Sequence, residues 1–332
     1  MHANANISFQ LQETRKLVDA VLSIQPRLSG GSSGKGSDEV VSELAAELQA
    51  ALPPLLTREE AALGLFDRTE AGQLNSLSVV LGQEMDRFNR LSSAMASSLV
   101  ELQKAIKGLV VMSGELEAMY NSMLNNQVPE AWARYAYPSL KPLASWVKDY
   151  HARITFMRAW LQDGTPQCFW LPGFFFPQGF MTGVLQMHAR KYSIPIDTLS
   201  FGFAVTRHES AEQVAAAAAA GEDEVPEDGI LINGLWIDGA RWDRTAQVLE
   251  ESEPGVMYAP LPVIHFKPMR DYEPPATEYE CPLYKTSVRA GVLSTTGQST
   301  NFVLCVSLPI RPDTNGDFWI LQGVALLCML DD

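Results

Sequence analysis

The chain has 332 residues, 46% of them hydrophobic, which is enough apolar material to fill a sizeable core in one or two globular domains. Its 39 acidic against 25 basic residues give a formal charge of -14, a field that repels polyanions, so nucleic acid is not expected as a partner. The start, MHANANISFQLQETRK, has no apolar stretch after a basic opening, and no run of about 18 uncharged apolar residues follows anywhere. Neither secretion nor a membrane partner is expected. The asparagine-rich lead-in running straight into a helical pattern is compatible with a fragment of something longer.

The first half reads as helical. Residues 8 to 25 set Phe9, Leu11, Leu17, Val18, Val21, Leu22 and Ile24 among polar residues, with helical spacing in the later members, and Pro26 ends the pattern. A Gly/Ser-rich loop (29 to 37) leads to a second helix that starts at Asp38-Glu39, carries Val40, Val41, Leu44, Leu48 and Leu52, and stops at Pro53-Pro54. After Gly72 comes the longest signal: Leu74, Leu77, Leu81, Phe88, Leu91, Met95, Leu99, Leu102, Ile106 and Leu109 advance mainly in threes and fours, one stripe on a long helix. Gly108 and Gly114 bend or interrupt it, and the pattern resumes with Leu116, Met119 and Met123, whose methionines read as core filler. A further amphipathic helix runs from Pro142 to Leu161, where Lys148, Arg153 and Arg158 read as a solvated or interface face.

Past Gly164-Thr165-Pro166 the composition shifts to aromatic and β-branched residues broken by Gly, Pro and Asp, which places a domain boundary near 165 and divides the chain into 1–165 and 166–332. One helix is predicted from Pro177 through Tyr192. Strands are predicted at 199–206, 230–238, 261–267, 283–289, 301–308 and 318–328. Strands in succession without helices between them point to an antiparallel barrel or sandwich, so the fold class is α+β: a helical segment followed by an antiparallel barrel or sandwich. The segment AEQVAAAAAAGEDEVPEDG reads as a mobile, acidic surface loop.

Catalytic signatures fail one by one. GGSSGKGS at 30–37 contains the Gly34-Lys35 pair of a phosphate loop, but Ser29 stands where that loop needs glycine. Gly36 replaces its Ser/Thr, and a helix instead of a strand precedes it. The histidines His2, His151, His188, His208 and His265 form no HxxxH or HExxH pair, and no GxSxG elbow exists. Cys168, Cys281, Cys305 and Cys328 form no CxxC pair and read as reduced core thiols. Asp238, Asp243, Glu250, Glu251 and Glu253 read as a solvated face, and Glu222, Asp223, Glu224, Glu227 and Asp228 lack the spacing of a calcium loop. No catalytic, cofactor-binding or metal residue is assigned.

Several long blocks resist a generic reading: SLKPLASWVKDYHARITFMRAW at 139–160, FWLPGFFFPQGFMTGVLQMHARKYSIPIDTLSF at 169–201 and DGILINGLWIDGARWD at 228–243. PGVMYAPLPVIHFKP at 254–268, YECPLYKTSVRAGVLSTTGQSTNFVLCVSLP at 279–309 and WILQGVALLC at 319–328 continue the series. Together with NANISFQLQETRKLVDAVLSIQPR at 4–27 and SSLVELQKAIKGLVVMSGELEAMYNSMLNNQVPEAW at 97–132, they resemble the C-terminal domain of dynein heavy chains over nearly the whole chain. The wording is closest to axonemal dyneins, with a cytoplasmic or intraflagellar dynein as the alternative. The resemblance implies a helical segment packed on the AAA+ ring of the same heavy chain and a β-barrel cap over the ring's face. It also implies that ATP and Mg belong to upstream modules and that microtubules are bound through another region, in keeping with an acidic chain that repels the acidic surface of tubulin. The expected localisation is the cytoplasm and cytoskeleton, in the axoneme of a cilium or flagellum. Three functions follow for comparison: a non-catalytic regulator of the motor, a docking platform for another axonemal protein through its acidic insertion, and an enzyme with an unrecognised site.

Overall fold

The longest element owes its position to one apolar stripe. Ser76–Ile106 (α2) turns Leu77, Leu81, Phe88, Leu91, Leu99 and Leu102 into the core, and its 31 residues extend roughly 46 Å. Asn75 caps it, accepting from the Leu77 N–H at 2.8 Å. The computed structural model describes Thr14 and residues 36–69, 72–221, 226–289 and 299–331. Apart from Thr14, the helix predicted over 8–25 lies outside the described residues, as does most of the Gly/Ser-rich loop.

Ser37–Ala51 (α1) packs on α2 through Val41 and Ala45, and ends just before Pro53-Pro54 as its sequence requires. The stripe of α2 stops short of its predicted last member. Gly108 takes a left-handed φ of +71°, its N–H and that of Leu109 bond back to Ala105 and Lys104, and Leu109 is left 72% exposed. Gly114–Leu124 (α3), capped by Ser113, then begins as a separate helix. Glu130–Ala133 (α4) and Leu143–Asp163 (α5) complete the helical portion. Arg153 corrects the solvated reading of α5: it is buried, whereas Lys148 is exposed and Arg158 half-buried.

Beyond Gly164 come Cys168–Trp170 (β1), Pro177–Tyr192 (α6), Leu199–Val205 (β2), Ala211–Ala220 (α7), Ile230–Asn233 (β3), Trp236–Asp238 (β4), Ala240–Asp243 (β5) and Val248–Glu251 (β6). Tyr258–Pro260 (β7), Ile264–Arg270 (β8), Glu278–Tyr284 (β9), Phe302–Pro309 (β10), Gly316–Gln322 (α8) and Ala325–Leu327 (β11) follow. One sheet has the order β1-β3-β8-β2, a second β10-β9-β11-β4-β7, and β5 and β6 form a ribbon of their own. Most pairings are antiparallel, but β1 with β3 and β9 with β11 run parallel. No sheet closes into a barrel among the described residues, so the barrel-like cap is two open sheets and a ribbon.

Three local expectations are corrected, each for a physical reason. The predicted strand 230–238 is two strands in different sheets, because Gly234 (φ +87°) turns the chain against Trp170, where a Cβ would sit 2.5 Å from the indole. The predicted strand 318–328 opens as α8 instead: Asn315 accepts from the Phe318 N–H at 3.0 Å and Gly323 ends the helix in the left-handed region. The supposedly mobile insertion is largely α7, capped by Ser210 and Gly221. It lays Val214, with partly buried Ala211, over Cys168, Leu231 and Val263, a small second core on the outer side of the first sheet.

A single apolar cluster links the helices to the strands. It runs from Val41 and Leu81 through Trp132, Trp146 and Trp160 to Phe169, Phe180, Ile232, Leu283 and Leu326. The helix α6 is the hinge pin of that continuity, packing on α2 along one side and on β2, β8 and β10 along the other. Gly183 permits the close approach, since a Cβ there would lie 2.9 Å from Val80 Cγ2.

Candidate functional site

Two charged groups are buried where the helices meet the strands. Glu84 of α2, fully buried, accepts from the Phe175 N–H at 2.6 Å, the Phe176 N–H at 3.3 Å and Arg87 Nη1 at 2.6 Å. Burial raises the Glu84 carboxyl above its ordinary pKa, against the pull of the Phe175 N–H and Arg87. Phe176 is the N-cap of α6 and Phe175 precedes it, so the carboxylate satisfies two backbone donors of the turn that leads into the helix. The Arg87 and Lys285 side chains lie 5.5 and 5.7 Å from the ring of half-exposed Phe176.

Arg153 of α5 is the second. Its Nε donates to Asp149 at 2.6 Å, and its guanidinium lies 3.6 Å from the centre of the Tyr137 ring and 5.8 Å from Trp170. Tyr137 in turn stacks on Trp146, and Trp146 on Tyr150, whose hydroxyl shares a 2.6 Å hydrogen bond with Ser92 of α2. The cleft beside Arg153, bordered by Leu171, Phe174, Lys285 and Cys328, has about 10 Å³ of space, no more than a water molecule needs. It is a packing seam without room for a substrate.

The remaining candidates for chemistry are tied up structurally. Asp238 pairs with Arg289 at 2.6 Å, while Arg241 reaches Glu250 at 2.6 Å and Arg311 reaches both Glu250 and Asp243, at 2.5 and 3.6 Å. Asp243 also accepts the Thr245 and Ala246 N–H groups of the β5–β6 turn. Burial pushes the Cys168 and Cys328 thiols up to about 12 and raises Cys281 as well, the opposite of an activated nucleophile. Cys305 is exposed rather than core. His265 Nε2 sits 2.8 Å from the Asp228 carbonyl oxygen, and burial lowers its pKa. The Asp228 carboxylate accepts from Tyr192 at 2.8 and 2.9 Å and from Lys191 at 3.0 Å, with His188 Nδ1 at 3.6 Å, so the end of the acidic insertion is pinned to the last turn of α6. No cluster of three or more metal-ligating side chains occurs among the described residues, and no helix among them is long and apolar enough to cross a membrane.

An open groove of about 760 Å³ runs along α2, floored by Ser93, Ala94 and Ser97, with Asp86 and Arg90 at one end and half-exposed Tyr135 as a wall. At the end of the same helix, Leu109, Val110, Val111 and Met112 stand exposed in succession.

A family model for the C-terminal domain of the dynein heavy chain matches residues 11–328. The chain belongs to that family. Dynein axonemal heavy chain 6 of Homo sapiens is 51% identical over 343 aligned residues, covering 100% of this chain and 8% of the relative. Dynein axonemal heavy chain 3 of Mus musculus is 46% identical, also over 100% of this chain and 8% of the relative. Dynein axonemal heavy chain 12 of Homo sapiens is 43% identical over 100% of this chain and 10% of its own length. This dynein C-terminal domain therefore spans a tenth or less of the length of these relatives. Sequence reading assigned no site residue; it passed over Glu84 and set Arg153 on a solvated or interface face. Their signal was present: each falls three residues after an apolar member of its helix's buried stripe, Leu81 and Tyr150.

Proposed function

We propose that this protein is the C-terminal accessory domain of an axonemal dynein heavy chain, packing on the AAA+ ring of the same heavy chain and stabilising or tuning its ATPase-coupled motility. In this reading residues 1–165 face the ring and 166–332 form the cap. ATP and Mg act in the ring upstream, microtubules are bound through another region, and the domain works in the cytoskeleton of a cilium or flagellum. It catalyses nothing itself. The observation that carries the reading is the unbroken core from α1 to β11, joined by Glu84 to the turn before α6. A brace biases the orientation of the modules it touches only if it does not yield internally, because the coupling free energy is its difference in docking between ring conformations.

The test compares the parent heavy chain, intact and lacking the whole domain, in microtubule-activated ATPase and gliding velocity. A changed velocity or coupling with nucleotide binding retained supports tuning, and unchanged kinetics rejects it. A cut after Asp163 is unsuitable, since it would strip Trp160, Leu81 and Phe88 of their partners in the shared core.

A second reading, a docking platform for another axonemal protein, is favoured by one observation: α7 shows an outer face of Ala215, Ala216, Ala219 and Ala220 backed by its own small core. Deleting 211–228 would uncover Cys168, Leu231 and Val263, so Ala216→Arg with Ala219→Arg is the cleaner change. Loss of a partner in a pull-down with normal motility favours docking. Altered motility with every partner retained favours tuning.

A further inference from the structure

Between α2 and α3 lies the one stretch of four successive exposed apolar side chains among the described residues: Leu109 at 72%, Val110 at 36%, Val111 at 89% and Met112 at 40%. Other exposed large apolar residues stand singly or, as Ile320 with Leu321, in a pair. The turn is held at both ends by local hydrogen bonds rather than by burial. On the α2 side, left-handed Gly108 and the Leu109 N–H bond to Lys104 fix its departure, and on the α3 side Ser113 accepts from the Leu116 N–H at 3.3 Å. A preorganised apolar projection loses little freedom on docking, which is how a small contact gains affinity.

Its surroundings narrow the occupant. Lys104 and Lys107 on one flank are balanced by Glu101, Glu115 and Glu117, so the contact is apolar and not electrostatic. An anionic lipid surface would need a basic cluster, and the protein as a whole carries a charge of -14. A second copy of the domain does not fit either. The turn projects, the open groove on α2 is lined largely by polar and small side chains, and a stable dimer buries roughly 800 Å² per partner, more than four residues supply. About nine-tenths or more of each relative compared above lies outside the region that this chain matches.

We propose that Leu109–Met112 is a docking knob that inserts into an apolar socket on another part of the same heavy chain. This rests on the reading of the domain as one that packs on the ring, and it names the residues that make a contact. The knob anchors the end of α2, so the long helix is held at a point and its tilt follows the module that carries the socket.

The experiment uses the full-length heavy chain with Val111→Cys, a position so exposed that the substitution leaves the domain's own packing alone. Maleimide labelling of that cysteine is followed by peptide mass spectrometry, natively and in urea, and lysine cross-links between residues 36–331 and the rest of the heavy chain are mapped in the same preparation. The expected result is native labelling at least tenfold slower than in urea, with cross-links present, and restored labelling when Leu109→Asp is added. Native labelling as fast as in urea with cross-links present overturns the knob while leaving ring packing standing. Fast labelling with no cross-links overturns both.

Discussion

Replacing Glu84 is the sharpest probe of how the two portions of this domain are joined. Glu84→Ala removes the acceptor of the Phe175 N–H, at 2.6 Å, and of the Phe176 N–H, at 3.3 Å, and leaves Arg87 without its partner. A buried donor left unmade costs about 1–3 kcal/mol. The Phe176 bond is longer and its residue half-exposed, so the first donor dominates, and the net loss comes to about 3 kcal/mol once relief of the buried charge is set against it. At about 2 °C per kcal/mol for a protein of this size, Tm falls by roughly 6 °C. Glu84→Gln keeps one acceptor oxygen but turns an NH₂ toward a donor, for a loss of about 1–2 kcal/mol. Because burial raises the Glu84 pKa, its contribution is fully present below the unfolded value of about 4.3 and is lost as pH rises through the folded value. The Gln variant does not titrate, so its deficit against wild type is widest near pH 4 and narrows toward neutrality. Urea unfolding at several pH values measures all three proteins. An Ala variant within about 0.5 kcal/mol of wild type, or a Gln deficit that grows with pH, refutes the argument.

Ser92→Ala leaves the buried Tyr150 hydroxyl unpaired across the α2–α5 contact, at about 1–3 kcal/mol, whereas after Tyr150→Phe the Ser92 hydroxyl still donates to the Phe88 carbonyl at 2.8 Å, so the loss is about 0.5–1.5 kcal/mol; the double variant is expected to lose less than their sum in a double-mutant cycle. Gly183→Ala gains about 1 kcal/mol of helix propensity but forces Val80 aside, and overpacking of about 1–3 kcal/mol makes the net change destabilising in thermal unfolding. In the native protein iodoacetamide is expected to reach exposed Cys305 at least about tenfold faster than Cys168, Cys281 or Cys328, with peptide mapping as the readout.

The helices α1, α2, α3, α5 and α6 were legible because each carries a stripe at threes and fours and a Gly, Pro or Asn at an end, signals that lie within a few residues of one another, whereas the four-residue α4 carries no such stripe. The family itself was legible too, since long blocks in order survive in the wording of the sequence. Strand pairing was not. Whether Trp236–Asp238 continues Ile230–Asn233 or crosses to another sheet depends on Trp170, more than sixty positions earlier in the sequence, which crowds Gly234. The parallel pairing of β1 with β3 across α6, β2 and α7 is equally remote in sequence.

The role of a charged residue divides along the same line. Lys148 and Arg153 are both basic residues on α5, and composition alone gave them one reading; their angular positions differ, so one meets solvent and the other meets Tyr137 and Trp170. Local order thus settled the stripe-bearing helices, because capping and periodicity act over one or two turns. Tertiary structure alone decided that Glu84 closes the seam, that α7 roofs the first sheet and that Leu109–Met112 stands out from it, because burial is set by whatever the rest of the protein brings alongside.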